Sequence, residues 1–103
     1  MKLEVNSLKE LVDYQEGSIV SKTLINKDNG SVTIFAFDKN QSLSEHKAPF
    51  DALVNILDGE AKITISGELY HLKEGNIIIM PANKPHAVNA VEKFKMMLIM
   101  IKS

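Results

Sequence analysis

Cysteine is absent from all 103 residues. That excludes disulfides, thiolate metal centres and cysteine nucleophiles. Arginine is absent as well, since all twelve basic residues are lysine. Sites for nucleotides and other phosphates ordinarily draw on the bidentate guanidinium fork, so its absence counts against a nucleotide substrate. The formal net charge is only −1, which supplies no field to gather nucleic acid or to hold the chain on an acidic membrane surface. The longest apolar run, residues 96–101, is too short to cross a bilayer. The opening residues 1–6 lack the apolar core of a signal peptide. No serine stands in a nucleophile motif, and no glycine-rich phosphate loop is present. The expectations are therefore no nucleic-acid partner, no membrane and a cytoplasmic location.

What is present suits one globular domain over residues 1–103. Hydrophobic residues make up 45% and charged residues 24%, an ordinary balance for a chain that buries one core. An N-terminal arm with a short helix is expected over about residues 1–17, and a β-barrel over about residues 18–102. Residues 7–14 carry the helical signal: Ser7 as N-cap, Glu10 three residues on as in a capping box, and Leu8, Leu11 and Val12 on one stripe. Gly17 ends the segment, and the stripe suits a lid packed on the body.

Beyond Gly17 the periods are those of strands. Asn29-Gly30 predicts a hairpin turn with positive φ at its central residues. Residues 31–37 alternate, with Val32, Ile34 and Ala36 on one face and Thr33, Phe35 and Phe37 on the other; apolar residues on both faces imply that both are covered. Residues 52–57 form a strand that Asp58-Gly59 should close as a hairpin. Residues 61–65 read as a half-buried strand, followed by a turn at Ser66-Gly67 and another at residues 73–76. Residues 77–80 are a continuous apolar strand stopped by Pro81. Further strands follow over residues 86–90 and 94–101. About eight short strands separated by turn signals, with no β–α alternation, give an all-β fold of the sandwich or barrel type. Residues 94–101 are apolar on both faces, which fits either a plain core strand or one side of a homodimer interface.

Three histidines are the chemistry-bearing side chains. His46 and His86 sit at loop-to-strand junctions, where barrel mouths carry sites. Each is either a pocket-lining side chain bonded to backbone or a metal ligand, with Asp51 as a nearby carboxylate that serves as a ligand, a general base or a turn cap. His71 lies between Tyr70 and Leu72, and alternation turns it away from the core.

The spacing of glycines, prolines and these histidines resembles the two motifs of the cupin superfamily, small jelly-roll β-barrels. Asn40, His46 and Gly59 occupy the first motif's leading glycine, first histidine and closing glycine. Gly75, Pro81 and His86 match the second motif, with Asn83 in place of its inner glycine. Asparagine at both glycine positions is a mild change, because it too visits left-handed backbone. The second histidine position is Ala48 and the glutamate position is Ala52, so two of the four ligands usual in the family remain. Asp51 is offset by one residue, which in a regular strand turns it to the opposite face. The resemblance implies a jelly-roll barrel whose pocket would be lined by His46, Asp51, Ala52, Val54, Ile63, Met80 and His86. Its ligand would be a small molecule. The cofactor is left open, a divalent transition metal ion on His46 and His86 being one option, which Asp51 could join only through a bulge or loop. Three functional readings stay open: a small-molecule-binding barrel, a metal-dependent oxygenase or isomerase, and a dimeric structural or interaction module. These residues suit an enzyme and a non-catalytic binding module alike.

Overall fold

A computed structural model describes residues 3–102. Met1, Lys2 and Ser103, which the expected domain includes, lie outside the described residues. Eight strands follow one turn of 3-10 helix: β1 (Ile19–Lys27), β2 (Gly30–Phe37), β3 (Ser42–His46), β4 (Asp51–Ile65), β5 (Glu68–Lys73), β6 (Ile77–Met80), β7 (His86–Asn89) and β8 (Phe94–Ile101). All pairings are antiparallel. One sheet has the order β1-β2-β8-β4-β6, and the other β5-β4-β7-β3. The two curl towards each other as a jelly-roll.

Both sheets share β4. Its first half pairs with β8 and β6, and its second half with β5 and β7. The expected hairpin at Asp58-Gly59 is instead a bend inside this 15-residue strand. A bulge falls between Ile56 and Asp58, and a bulge increases the local twist and turns the strand. On the other side of β4 the β5–β6 loop carries the β6 pairing up to the bend: Ile56 N–H donates to the Asn76 carbonyl at 3.0 Å, and Gly75 N–H donates to the Ile56 carbonyl at 2.8 Å. Gly59 has φ +74, and a Cβ there would overlap the Lys93 carbonyl oxygen. The Asp-Gly signal was therefore real, but it marks the corner between sheets.

Turn chemistry explains the remaining corners. Ser66-Gly67 forms a two-residue hairpin tip with φ +50 and +84, the mirror-image turn that matches strand twist. The β1–β2 hairpin departs from expectation. Its tip is Asp28-Asn29, neither residue has a positive φ, and Gly30 already pairs with Lys27 in the ladder. Gly30 is needed for a different reason: a Cβ there would lie 2.8 Å from the Met100 carbonyl oxygen on β8.

The core lies between the sheets. Val54, Ile56, Ala61, Ile63, Leu72, Val88, Phe94 and Met96 all point into it and are buried. Phe37 stacks on Phe94 at 4.6 Å between ring centroids, joining the neighbouring strands β2 and β8 at their paired ends. A second, smaller cluster lies on the outer face of the five-stranded sheet, where Val12 packs with Ile34, Ala36 and Leu57 beneath Leu8, Leu11 and Tyr14. This is why both faces of β2 are apolar.

The expected helix over residues 7–14 is only the 3-10 turn Leu8–Leu11. Ser7 makes no side-chain cap, and Val12 is already extended with φ −140. A helix this short gains little from propensity, and extension lets Val12 reach the sheet. The arm is clasped by polar contacts. Tyr14 Oη donates to Asp58 Oδ2 at 2.6 Å, Lys95 Nζ donates to the Lys9 carbonyl at 2.6 Å, and Asp38 accepts from Gly17 N–H at 2.7 Å. Burial, with the Asp58 carboxylate beside it, holds the Tyr14 phenol well above its ordinary pKa.

Gly59→Ala should lower unfolding free energy in urea by about 3 kcal/mol, because it adds both a clash with backbone and left-handed strain. Gly67→Asn is the contrast: φ is positive there too, but the space around it is open, so the expected loss stays under about 1 kcal/mol. Equal losses would show that the Lys93 approach is not the constraint at Gly59.

Candidate functional site

The two histidines meet at one end of the β3–β7 pair. On β7, His86 and Val88 face inward and are buried, at 7% and 2% exposure. On β3, Leu43 pairs with Val88 and packs on the core. Regular pairing from there would set Glu45 opposite His86. The ladder slips by one residue between Leu43 and His46, so His46 takes that place. The bulge thus turns His46 to the side of His86, with His46 and Glu45 both still exposed.

The rings stand edge to face, with centroids 4.2 Å apart and planes at 71°. His46 Nδ1 lies 2.8 Å from the Ser44 carbonyl oxygen, and His86 Nδ1 lies 3.3 Å from that of Lys84. A carbonyl only accepts, so each Nδ1 carries the hydrogen in these bonds. The two Nε2 atoms, 3.0 Å apart, then present their lone pairs to each other. The pair is thus an acceptor site for one electropositive atom: a shared proton, a ligand N–H or O–H, or a cation. Burial, followed by repulsion from His46, lowers the pKa of His86, and the Lys84 carbonyl offsets part of this.

The other expected site residues do not join the pair. Asp51 pairs regularly with Ile101 at the start of β4, with no bulge there, and points to the outer face while Ala52 points inward. Its Oδ1 accepts from Ala82 N–H at 2.8 Å, which ties β4 to the β6–β7 loop. Asp51 is thus a turn cap, the third of the roles open to it. Ala52, Val54, Ile63 and Met80, expected to line a pocket, are members of the packed core cluster. His71 faces outward, donating from Nε2 to Glu60 Oε2 at 3.0 Å. Four surface depressions of about 280 to 480 Å³ lie elsewhere, and neither His46 nor His86 lines any of them.

A metal needs more donors than this. Among the described residues no group of three or more His, Asp or Glu side chains converges. Zinc enzymes ordinarily supply three protein ligands and structural sites four. The side chains present do not fit a resident metal of the kind the four-ligand motif holds, because Ala48 and Ala52 bring no donor atom.

Comparison with known proteins agrees with the geometry. The family model for the cupin domain matches residues 33–102. The chain belongs to the cupin family. The cupin is 40% identical to a conserved protein of unknown function from Streptococcus pyogenes, covering 100% of this chain and 90% of that one, with a TM-score of 0.94. It is 53% identical to a cupin 2 conserved barrel domain protein from Leptotrichia buccalis, with a TM-score of 0.89; that alignment covers 91% of this chain but 46% of the other. A cupin superfamily protein from Desulfitobacterium hafniense is 29% identical over 100% of this chain and 94% of its own, with a TM-score of 0.93. No curated protein matches the chain. Among the described residues no helix is long and apolar enough to cross a membrane.

The family's glycine positions behave as their substitutes allow: Asn40 has φ +70 and Asn83 φ +65. Asn40 N–H donates to the Ala90 carbonyl and Asn83 N–H to that of Ala48, both at 2.7 Å. The Asn83 bond closes the β3–β7 pair at the histidine end, and the Asn40 bond closes it at the opposite end. Sequence reasoning missed the bulge in β3. Its signal was the odd three-residue step between Leu43 and His46, which strict alternation cannot place on one face.

The lowered pKa of His86 sets a pH dependence. The unfolded chain takes up this proton near the ordinary value of about 6.5, whereas the folded chain takes it up only at lower pH. Stability is therefore full above about 6.5 and falls as pH drops from there towards the folded value. Melting curves between pH 8 and pH 5 should show this fall, and His86→Gln should flatten it. An equally steep fall in the variant would assign the effect to other groups.

Proposed function

We propose that this cupin is a cytoplasmic, homodimeric barrel that binds a small molecule at its mouth through the His46–His86 pair. The observation that carries the reading is the 3.0 Å approach of two Nε2 atoms whose Nδ1 partners are occupied by backbone carbonyls. Two facing acceptors, held by their own strands, are prepared for a ligand that brings a hydrogen-bond donor or positive charge between them. The packed interior beneath them favours a ligand held at the rim. The homodimer part of the reading is supported by β8, whose two faces are both apolar. A metal-dependent oxygenase or isomerase using the same histidines is the second reading, favoured by the approach of their Nε2 atoms and opposed by the missing donors at Ala48 and Ala52.

Two measurements on protein made without a histidine tag separate these readings. Metal analysis should find well under one equivalent of any transition metal. A thermal-shift screen of small molecules bearing amine, amide or hydroxyl donors should give melting rises that vanish in the His46→Ala, His86→Ala double variant. A ligand at a hundred times its Kd contributes about 2.7 kcal/mol, well within reach of such a screen. Near-stoichiometric metal that disappears in the double variant would replace this reading with the metal-dependent one. Ligand shifts that survive both substitutions would move the site away from the histidines.

A further inference from the structure

The outer face of the five-stranded sheet is only half covered. The N-terminal arm packs over Ile34, Ala36 and Leu57, and Met97 closes the edge of that cluster. Two residues further along β8 runs a row that neither core cluster includes. Ile25, Val32, Ile99, Leu53 and Ile79 stand side by side across β1, β2, β8, β4 and β6 in direct register. Ile25 is 51% exposed and Ile79 58%. Such a continuous aliphatic stripe across a whole sheet is uncommon on a lone soluble domain, where exposed apolar residues are usually scattered.

The relief of this face selects its occupant. Two apolar grooves run along it, one of about 280 Å³ on the β1–β2 side of β8 and one of about 310 Å³ on the β4–β6 side. Ile99 and Ile101 belong to both and form the wall between them. Among the described residues, the only charged one lining the first groove is Lys27, and the only one lining the second is Asp51. One Asp51 oxygen is held by Ala82 N–H, and the other is available. β8 is the central strand of the five. A two-fold axis along it would lay the first groove of one copy over the second groove of another, with Lys27 facing Asp51 twice. That is the reciprocal pattern an isologous interface requires. A net charge of −1 per chain adds little repulsion between copies.

We infer that this face is the dimer interface, with a second copy of this chain seated across β8 so that Ile99 lies beside its counterpart and Lys27 pairs with Asp51 of the other copy. The inference rests on the homodimer reading above and adds its surface and symmetry. Five strands at about 4.8 Å spacing and the two rows left open beyond Met97 make a footprint of about 330 Å² on each copy before side-chain relief is counted. That puts the contact below the standard specific interface, so the dimer should dissociate on dilution and weaken with salt.

Sedimentation equilibrium of the full chain, with circular dichroism as the control for folding, tests this. Ile99→Asp sets two carboxylates against each other near the axis and should weaken dimerisation by about 100-fold or more. Ile79→Asp lies on an exposed edge strand and leaves the core untouched. It should weaken the dimer as well, and it decides the matter if Ile99→Asp fails to fold. Lys27→Glu should weaken the dimer and reverse its salt dependence, because screening then relieves repulsion from Asp51. If the wild type is dimeric and folded Ile79→Asp and Lys27→Glu proteins dimerise equally well, the surface is wrong while the homodimer stands. If the wild type is monomeric throughout the concentration range, the homodimer reading and this interface fall together.

Discussion

The structure turns on one close approach, that of Gly59 to the backbone at Lys93 and Phe94. A single strand, β4, has to serve both sheets, and it can do so only by bending where the ladder to β8 ends. The bulge after Ile56 supplies the bend, and the missing side chain at Gly59 lets the two backbones come together. The consequences run both ways along the strand. Ahead of the bend, Ala52, Val54 and Ile56 face the core from one sheet. Beyond it, Ala61, Ile63 and Ile65 face the same core from the other. Without the corner these six side chains would alternate along one flat sheet, and nothing would sit opposite them. On the opposite side of β4 from the bulge, Ile56 bonds to the Gly75–Asn76 loop, which holds the strand in place as it turns.

The same device, used on a smaller scale, makes the histidine pair. In β3 an extra residue before His46 turns its side chain to the side of His86, and the carbonyl of Ser44 in that irregular stretch takes the His46 Nδ1–H. One feature therefore sets both the direction of the ring and its tautomer. Across the ladder, His86 receives the equivalent orientation from Lys84 in the Pro81–Pro85 loop. Two short-range contacts in different loops, and one shared ladder, bring two side chains 40 residues apart within 3.0 Å. The pair is built into the fold itself.

What could be read from the chain follows from which signals are local. Strand existence, the Ser66-Gly67 tip and the left-handed demand at Asn40 and Asn83 all depend on single residues or short periods, and each left a mark in the sequence. The Asp58-Gly59 signal was legible as a special backbone position but ambiguous in kind, because a hairpin tip and a strand corner ask the same thing of glycine. Whether the chain reverses or continues there depends on β8, which lies more than 30 residues downstream in sequence. The site was legible in part for the same reason. His46 and His86 could be singled out by their junction positions and by the family spacing, and alternation correctly turned His71 away and put Asp51 on the face opposite Ala52. That Ala52, Val54, Ile63 and Met80 would pack together, leaving the histidines at the rim, depends on side-chain volumes from both sheets and has no local signature.

The division of the outer sheet face follows from the arm's length and route. Leu8, Leu11 and Val12 supply one turn of apolar side chains, enough to cover the rows of Ala36 and Ile34 but not the row of Ile99. A full helix over residues 7–14 would have used the same three side chains as one stripe and reached no further. The extended conformation at Val12 commits the arm to the end of the sheet near Asp58, where Tyr14 and Lys9 engage that carboxylate. The clasp that anchors the arm thus also fixes where its cover stops. β8, central in the sheet, carries Met97 under the arm and Ile99 beyond it, so one strand passes from a covered half to an open half within a single alternation step.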